Sequence, residues 1–276
     1  MSVGILAHLF GKLPYKQLAY EIGSEGFKHV QLAMWKAIED YDFNKGGLLN
    51  PGLAKDIKEE FAKNGVSISV LACYLHFYDR DEQKRRENIE RFKELIRYAP
   101  HLGAPIVAME VGKPKGEVDD SDWVTLRESI EELVEEAEKW GVIVGIEPAN
   151  DHLIESAAQL KQMMEEVPSS NIGVVIDPGN LLKTHNFKEQ DQVIEEAFEL
   201  LGDRIVAAHA KDRIILDDNE LHTVRAGQGE MNYELYMKLL NQYKPQVNII
   251  MEHAKTTEER RETKFFIENI RGQVSK

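Results

Sequence analysis

The sequence predicts an α/β fold, a single-domain (β/α)8 TIM barrel over residues 1–276, and three observations lead there. Apolar, strand-like runs alternate eight times with helical stretches that are apolar on one face. Units of about 30 residues, eight times over, match the roughly 250 residues that such a barrel needs. The runs are also nearly continuous in apolar residues, as in IVAA at 205–208 and NIIM at 248–251, the pattern of strands covered on both faces. Counting units does not show that the sheet closes, so an open doubly wound sheet is the alternative.

In order, a strand at 3–8 (VGILAH) and a turn at 11–14 lead to a helix at 15–22 with Leu18, Ala19 and Ile22 at helical spacing, stopped by Gly23. The strand at 27–34 (FKHVQLAM) and a Gly/Asn/Pro-rich loop at 46–52 precede a helix at 53–63, where Leu53, Ile57 and Phe61 recur every four residues. The third unit is 66–75 (VSISVLACYL) with a helix at 81–102, whose Ile89, Phe92, Leu95 and Ile96 share a face. The fourth is 106–111 with a helix at 121–140, Ser121 as its N-cap and Gly141 at its end. The second half repeats the design: 142–147 with 156–167 capped by Ser156, 172–177 with 186–201, 205–210 with 232–243, and 247–251 with 257–270, stopped by Gly272.

Composition narrows the function. With 42% hydrophobic and 30% charged residues the chain is expected to fold, not to stay disordered. A net charge of −14 and a pI near 5.2 argue against nucleic acid or an anionic membrane as partner, since both select basic surfaces. The single cysteine, Cys73, excludes an internal disulfide. That suits a reducing cytoplasm. The start MSVGILAHLFGK lacks the basic segment and cleavage site of a signal peptide, and no apolar run reaches the roughly 18 residues of a spanning helix, so a cytoplasmic protein is expected.

Four strands end on side chains able to bind a metal: Glu147 in VIVGIEPAN, Asp177 in NIGVVIDPGN, His209 in IVAAHAKDR and Glu252 in NIIMEHA. One such residue would be an ordinary cap or loop carboxylate. Three acids converging at a barrel mouth would repel one another unless protonated or neutralised by a cation. Two Glu, one Asp and one His form an oxygen-rich shell with one imidazole, suited to one divalent metal ion, Mn2+, Co2+, Mg2+ or Zn2+.

The motifs IEPAN, IDPGN, HAKD and MEH, with RAGQGEMN at 225–232, resemble the sugar phosphate isomerase/epimerase superfamily of xylose isomerase-like TIM barrels. The resemblance covers the whole chain in architecture, and its motifs concentrate in the second half. It implies that Glu147, Asp177, His209 and Glu252 hold one divalent ion, and that Glu147 and Glu252 also move the proton beside a carbonyl. The implied activity is isomerisation or epimerisation of a small keto sugar or sugar derivative, by a chain that assembles as a homodimer or homotetramer. The sugar 3-epimerases and the apurinic endonucleases of this superfamily usually have a histidine three residues after the strand-six aspartate. Here that position is Asn180, and the endonucleases' later His-x-Asp pair reads His222-Thr-Val. This disfavours a DNA-repair nuclease. A dehydratase of the 3-dehydroshikimate or inosose type is the main alternative, and a non-catalytic sugar-binding barrel is a third.

Further candidates for the substrate are Asn180, Lys211, His76, Arg225 and His8, each with a plainer role as salt-bridge partner or polar cap. Glu110 and Lys113 also lie at a strand end. Trp35 and Phe10 could pack on a sugar ring or simply rim the core. His253 is expected to point away from Glu252 by strand alternation, and His185 and His222 to sit in loops.

Overall fold

The computed structural model describes residues 2–274. Its elements are β1 (Val3–Leu6), α1 (Tyr15–Ser24), β2 (His29–Leu32), α2 (Met34–Ala37), α3 (Pro51–Lys63), β3 (Ser67–Ala72), α4 (Glu82–Leu102), β4 (Ile106–Met109) and α5 (Asp120–Trp140). There follow β5 (Ile143–Ile146), α6 (Ala157–Glu166), β6 (Ile172–Ile176), α7 (Pro178–Leu181), α8 (Gln190–Leu201), β7 (Ile205–Ile215), β8 (Leu221–Arg225), α9 (Tyr233–Tyr243), β9 (Ile249–Met251) and α10 (Thr257–Val274). Parallel pairing runs from β1 through β7, then to β9 and back to β1, which closes an eight-stranded barrel and rules out the open sheet.

Strand alternation sorts the apolar residues into two cores. Leu6, Val70, Ile106, Ala108, Val175, Ala207 and Ile250 fill the barrel, while the larger set packs between sheet and helices. The interior is tight: a Cβ on Gly145 would lie 3.0 Å from both Ile106 and Val175. Among the described residues, no helix is long and apolar enough to cross a membrane.

Three local expectations are corrected. The N-cap of α5 is Asp119, which forms a capping box with Asp122, and Ser121 lies inside the first turn. A carboxylate with an acid three residues on satisfies two orphan amides where a lone Ser satisfies one. Helix α10 runs through Gly272 to Val274 because buried Ile267 and Arg271 pin its face, outweighing the roughly 1 kcal/mol cost of a helical glycine. The seventh strand continues past residue 210 and turns back as an antiparallel hairpin, with Lys211 opposite Arg225 and Ile215 opposite Leu221. The polar residues Lys211, Asp212 and Arg213 end the apolar run at Ala210. Their alternation serves the hairpin: Asp212 turns outward and accepts backbone N–H bonds from Gly227 and Met231 at 3.0 Å, ordering the Gly-x-Gly loop.

Candidate metal centre

Each of the four strand-terminal residues is held by its strand's neighbour or by its own turn. Glu147 follows β5, its N–H bonded to Met109 at 2.9 Å, and Glu252 follows β9, its N–H bonded to Ala210 at 3.0 Å. Asp177 is the N-cap of α7, accepting the Gly179 N–H at 2.9 Å. His209 points inward from β7, and all four side chains are buried.

One donor atom each from Glu147, Asp177 and His209 lies within 4.8 Å of the others. Donors about 2.0–2.4 Å from a common ion are separated by no more than roughly that distance. Glu252 joins them through His209: Nδ1 of the imidazole is 3.1 Å from Glu147 and 3.2 Å from Glu252. The other ring nitrogen, Nε2, donates to the Gln31 side-chain oxygen at 2.9 Å, and the Gln31 amide donates to the Tyr74 hydroxyl. An amide oxygen only accepts, so Nε2 carries the proton, and in neutral His209 the Nδ1 lone pair faces the carboxylates. This donor set fits a hard divalent ion.

Burial and mutual repulsion set the charge balance. Burial, only partly countered by His209, raises the Glu147 pKa. Burial also acts on Glu252, but Lys211 and His209 outweigh it and bring Glu252 down to about 2. For His209, burial is overcome by Glu147 and Glu252, and the value rises to about 9. Lys211 lies 2.8 Å from Asp177 and 3.5 Å from Glu252, which hold it firmly charged against the effect of burial.

Asn180 joins the two groups, donating to Glu147 at 2.8 Å and accepting from Lys211 at 2.6 Å. Gly179 makes room for this: a Cβ there would meet the Lys211 side chain at 3.1 Å. Above the cluster opens a cavity of about 760 Å3, lined among others by His8, Lys36, Tyr74, Glu110, Lys211 and Glu252. Burial and the Glu147 charge raise Glu110 to about 7. Its carboxyl sits 3.6 Å from Nε2 of His152, whose Nδ1 accepts the Gly112 N–H. A comparable hollow of about 700 Å3 beside α4 has no converging metal-ligand set among the described residues, and its Glu94 is engaged by the Gly47 and Leu49 amides.

The structure therefore brings Lys211, Asn180 and His8 to the centre or its cavity, and places two other candidates elsewhere. Nε2 of His76 is 2.8 Å from the Lys113 carbonyl, and His76 lines a separate hollow of about 120 Å3. Arg225 pairs with Glu262 at 2.7 Å on the hairpin side. Phe10 packs edge-on against Phe27 beneath Arg260, as core rim. His253 differs from its expected direction: β9 ends at Met251, His253 takes φ 61°, and its ring returns to 3.8 Å from Glu252. Strand alternation has no force beyond the strand's end. Sequence reasoning missed Gln31, Tyr74, Lys36 and His152. The one available signal was Gln31, a lone amide inside an apolar run, which burial obliges to find polar partners.

Residues 18–270 match the family model of the xylose isomerase-like TIM barrel. The chain belongs to that family. Among solved members of this barrel architecture, a D-tagatose 3-epimerase-like protein superposes with a TM-score of 0.79 at 18% identity, covering 100% of this chain and 98% of that one. An L-ribulose 3-epimerase gives 0.74 at 16% identity, with 100% and 97% covered. The IOLI protein, solved with a bound zinc atom, gives 0.74 at 18% identity, with 99% and 98% covered. At such identities the likeness establishes the fold. No curated protein matches the sequence significantly.

Proposed function

We propose that this chain is a divalent-metal-dependent isomerase or epimerase of a small keto sugar or sugar derivative. The observation that carries the reading is the convergence of Glu147, Asp177 and His209, from the ends of β5 and β6 and from within β7, with Glu252 at the end of β9 lying 3.2 Å from His209 and lining a sugar-sized cavity. When bound there, the ion supplies Lewis-acid stabilisation of the charge that develops as a proton leaves the carbon beside a carbonyl. Glu147 and Glu252 reach one imidazole nitrogen from two strands. They are the carboxylates that remove and return the proton. Lys211 and Asn180 orient these acids and meet substrate hydroxyls. The sugar epimerases that share the fold support the same class.

A second reading, a dehydratase, is favoured by Glu110. Strand β4 lies opposite β9 in the ring, so Glu110 faces Glu252 across the cavity. With a carboxyl near 7 it is able to hand a proton to a leaving β-hydroxyl while a base takes the α-proton, which forms a carbon–carbon double bond and water. The two readings separate in deuterated water with the metal-loaded protein and a panel of keto sugars. Isomerase or epimerase chemistry gives deuterium beside the carbonyl with no loss of water, stopped by chelation and restored by Mn2+ or another divalent ion. A dehydratase gives an unsaturated product absorbing in the near ultraviolet. Turnover that survives chelation contradicts both.

A further inference from the structure

The cavity above the metal centre has two walls of opposite character. On the floor, the charge of Lys211 is paired with Asp177 and Glu252, and its ammonium also donates to Asn180. At the rim, Lys36 of α2, which follows β2, and Lys255, which follows β9, line the same cavity, and among the described residues neither ammonium has a carboxylate within ion-pair distance. In a chain of net charge −14, two unpaired lysines at the mouth of one cavity are a local reversal of sign.

Lys36 is also pre-ordered. Its Nζ sits 5.0 Å from the Trp35 ring centre and 4.4 Å from that of Tyr74, so the half-buried side chain is held by aromatic faces and keeps its charge uncompensated. A side chain already placed loses less entropy when a ligand binds. Beside it, Nδ1 of His8 is buried with no hydrogen-bond partner. Burial, and then the Lys36 charge, hold His8 down to about 4, so it is a neutral donor or acceptor at the mouth. An unpaired cation, a second cation at the rim and an orphaned imidazole nitrogen together describe a receptor for an anionic group.

We propose that Lys36, with Lys255 and His8, binds an anionic group of the substrate, a phosphate or a carboxylate, at the part of the mouth where the neighbouring strands β2, β1 and β9 end. This rests on the reading of the cavity as the substrate site and narrows the substrate to an acidic keto sugar or keto acid.

The test is calorimetric titration of inorganic phosphate and, separately, acetate into the Mg2+-loaded protein, its Lys36→Gln variant, and Lys45→Gln as a surface control. At least one anion is expected to bind the wild type and the Lys45→Gln control alike and to bind Lys36→Gln about tenfold more weakly, the loss of one charge-assisted contact. Stronger phosphate binding identifies a phosphoryl group, and stronger acetate binding a carboxylate. If Lys36→Gln does not fold, Lys255→Gln provides the comparison. No binding of either anion to the wild type, or equal binding to Lys36→Gln, overturns the inference. Deuterium exchange on the same proteins keeps the two claims apart. Exchange of uncharged keto sugars without Lys36-dependent anion binding sinks the anion site alone. Lys36-dependent binding with no exchange of any keto sugar supports the anion site and sinks the isomerase reading.

Discussion

Two ionic clusters in this barrel look alike on paper and behave differently. Between α4 and α5, Arg86 and Lys93 engage Glu132, and Arg97 donates to Glu136 at 2.6 Å, so cations and anions pair nearly one for one at the helix surface. At the mouth, the buried acids Glu147, Asp177 and Glu252 arrive from three strands to meet Lys211 and one imidazole. The outer cluster is complete in itself. The inner one carries negative charge in excess of its fixed cation, an arrangement worth keeping only where a further cation or a reaction uses it.

If that contrast holds, the largest effects belong to the inner carboxylates. Glu147→Gln and Glu252→Gln are each expected to lower turnover by about 10²–10⁴-fold while the fold persists. The deuterium-exchange rate reads the loss, and a circular-dichroism melt checks the fold. Next comes Gln31→Leu, which removes the acceptor that fixes the His209 tautomer. Metal affinity by calorimetry is expected to fall roughly 10- to 100-fold. Gly179→Ala sharpens the picture more gently. The added methyl presses on the Lys211 stem and shifts its contact with Asp177, with about a fivefold loss of turnover expected.

The smallest effect belongs to the outer cluster. Glu132→Gln is expected to leave turnover unchanged and to lower Tm by about 2 °C, as fits a partly exposed pair worth about 1 kcal/mol or less. The hydrogen bond from Arg86, against burial and with help from Lys93, brings the Glu132 pKa from 4.5 to about 2. A carboxylate depressed in the folded state adds stability that is complete above its unfolded pKa and disappears as pH falls through the folded one. The Tm difference between wild type and Glu132→Gln should therefore close between about pH 4.5 and 2. A difference constant across that window would show that Glu132 stabilises by packing instead.

The same contrast explains what the amino-acid sequence made legible. Barrel strands announce themselves because burial on both faces demands unbroken apolar runs, so a charged residue closing such a run, as Asp177 closes NIGVVI, stands out without any structure. What surrounds those acids was not legible. Gln31 and Tyr74 come from the first half of the chain and reach the site only because the ring closes, and Gln31 meets His209 across 178 positions of sequence. Asn180 read as a missing histidine. In three dimensions it ties Glu147 to Lys211. The hairpin after His209 was hidden because the apolar run stops at Ala210, while Lys211 goes on to face the barrel and Asp212 the Gly-x-Gly turn.

The central claim is that four side chains from β5, β6, β7 and β9 hold one divalent ion. The most direct measurement is metal content per chain by inductively coupled plasma mass spectrometry, after incubation with Mn2+ and exhaustive dialysis, for the wild type and for Asp177→Asn and His209→Asn. The account predicts one ion per wild-type chain and almost none in either variant, with both variants still folded by circular dichroism. A wild type that retains no divalent ion of any kind tested, or variants that retain it in full, would contradict it.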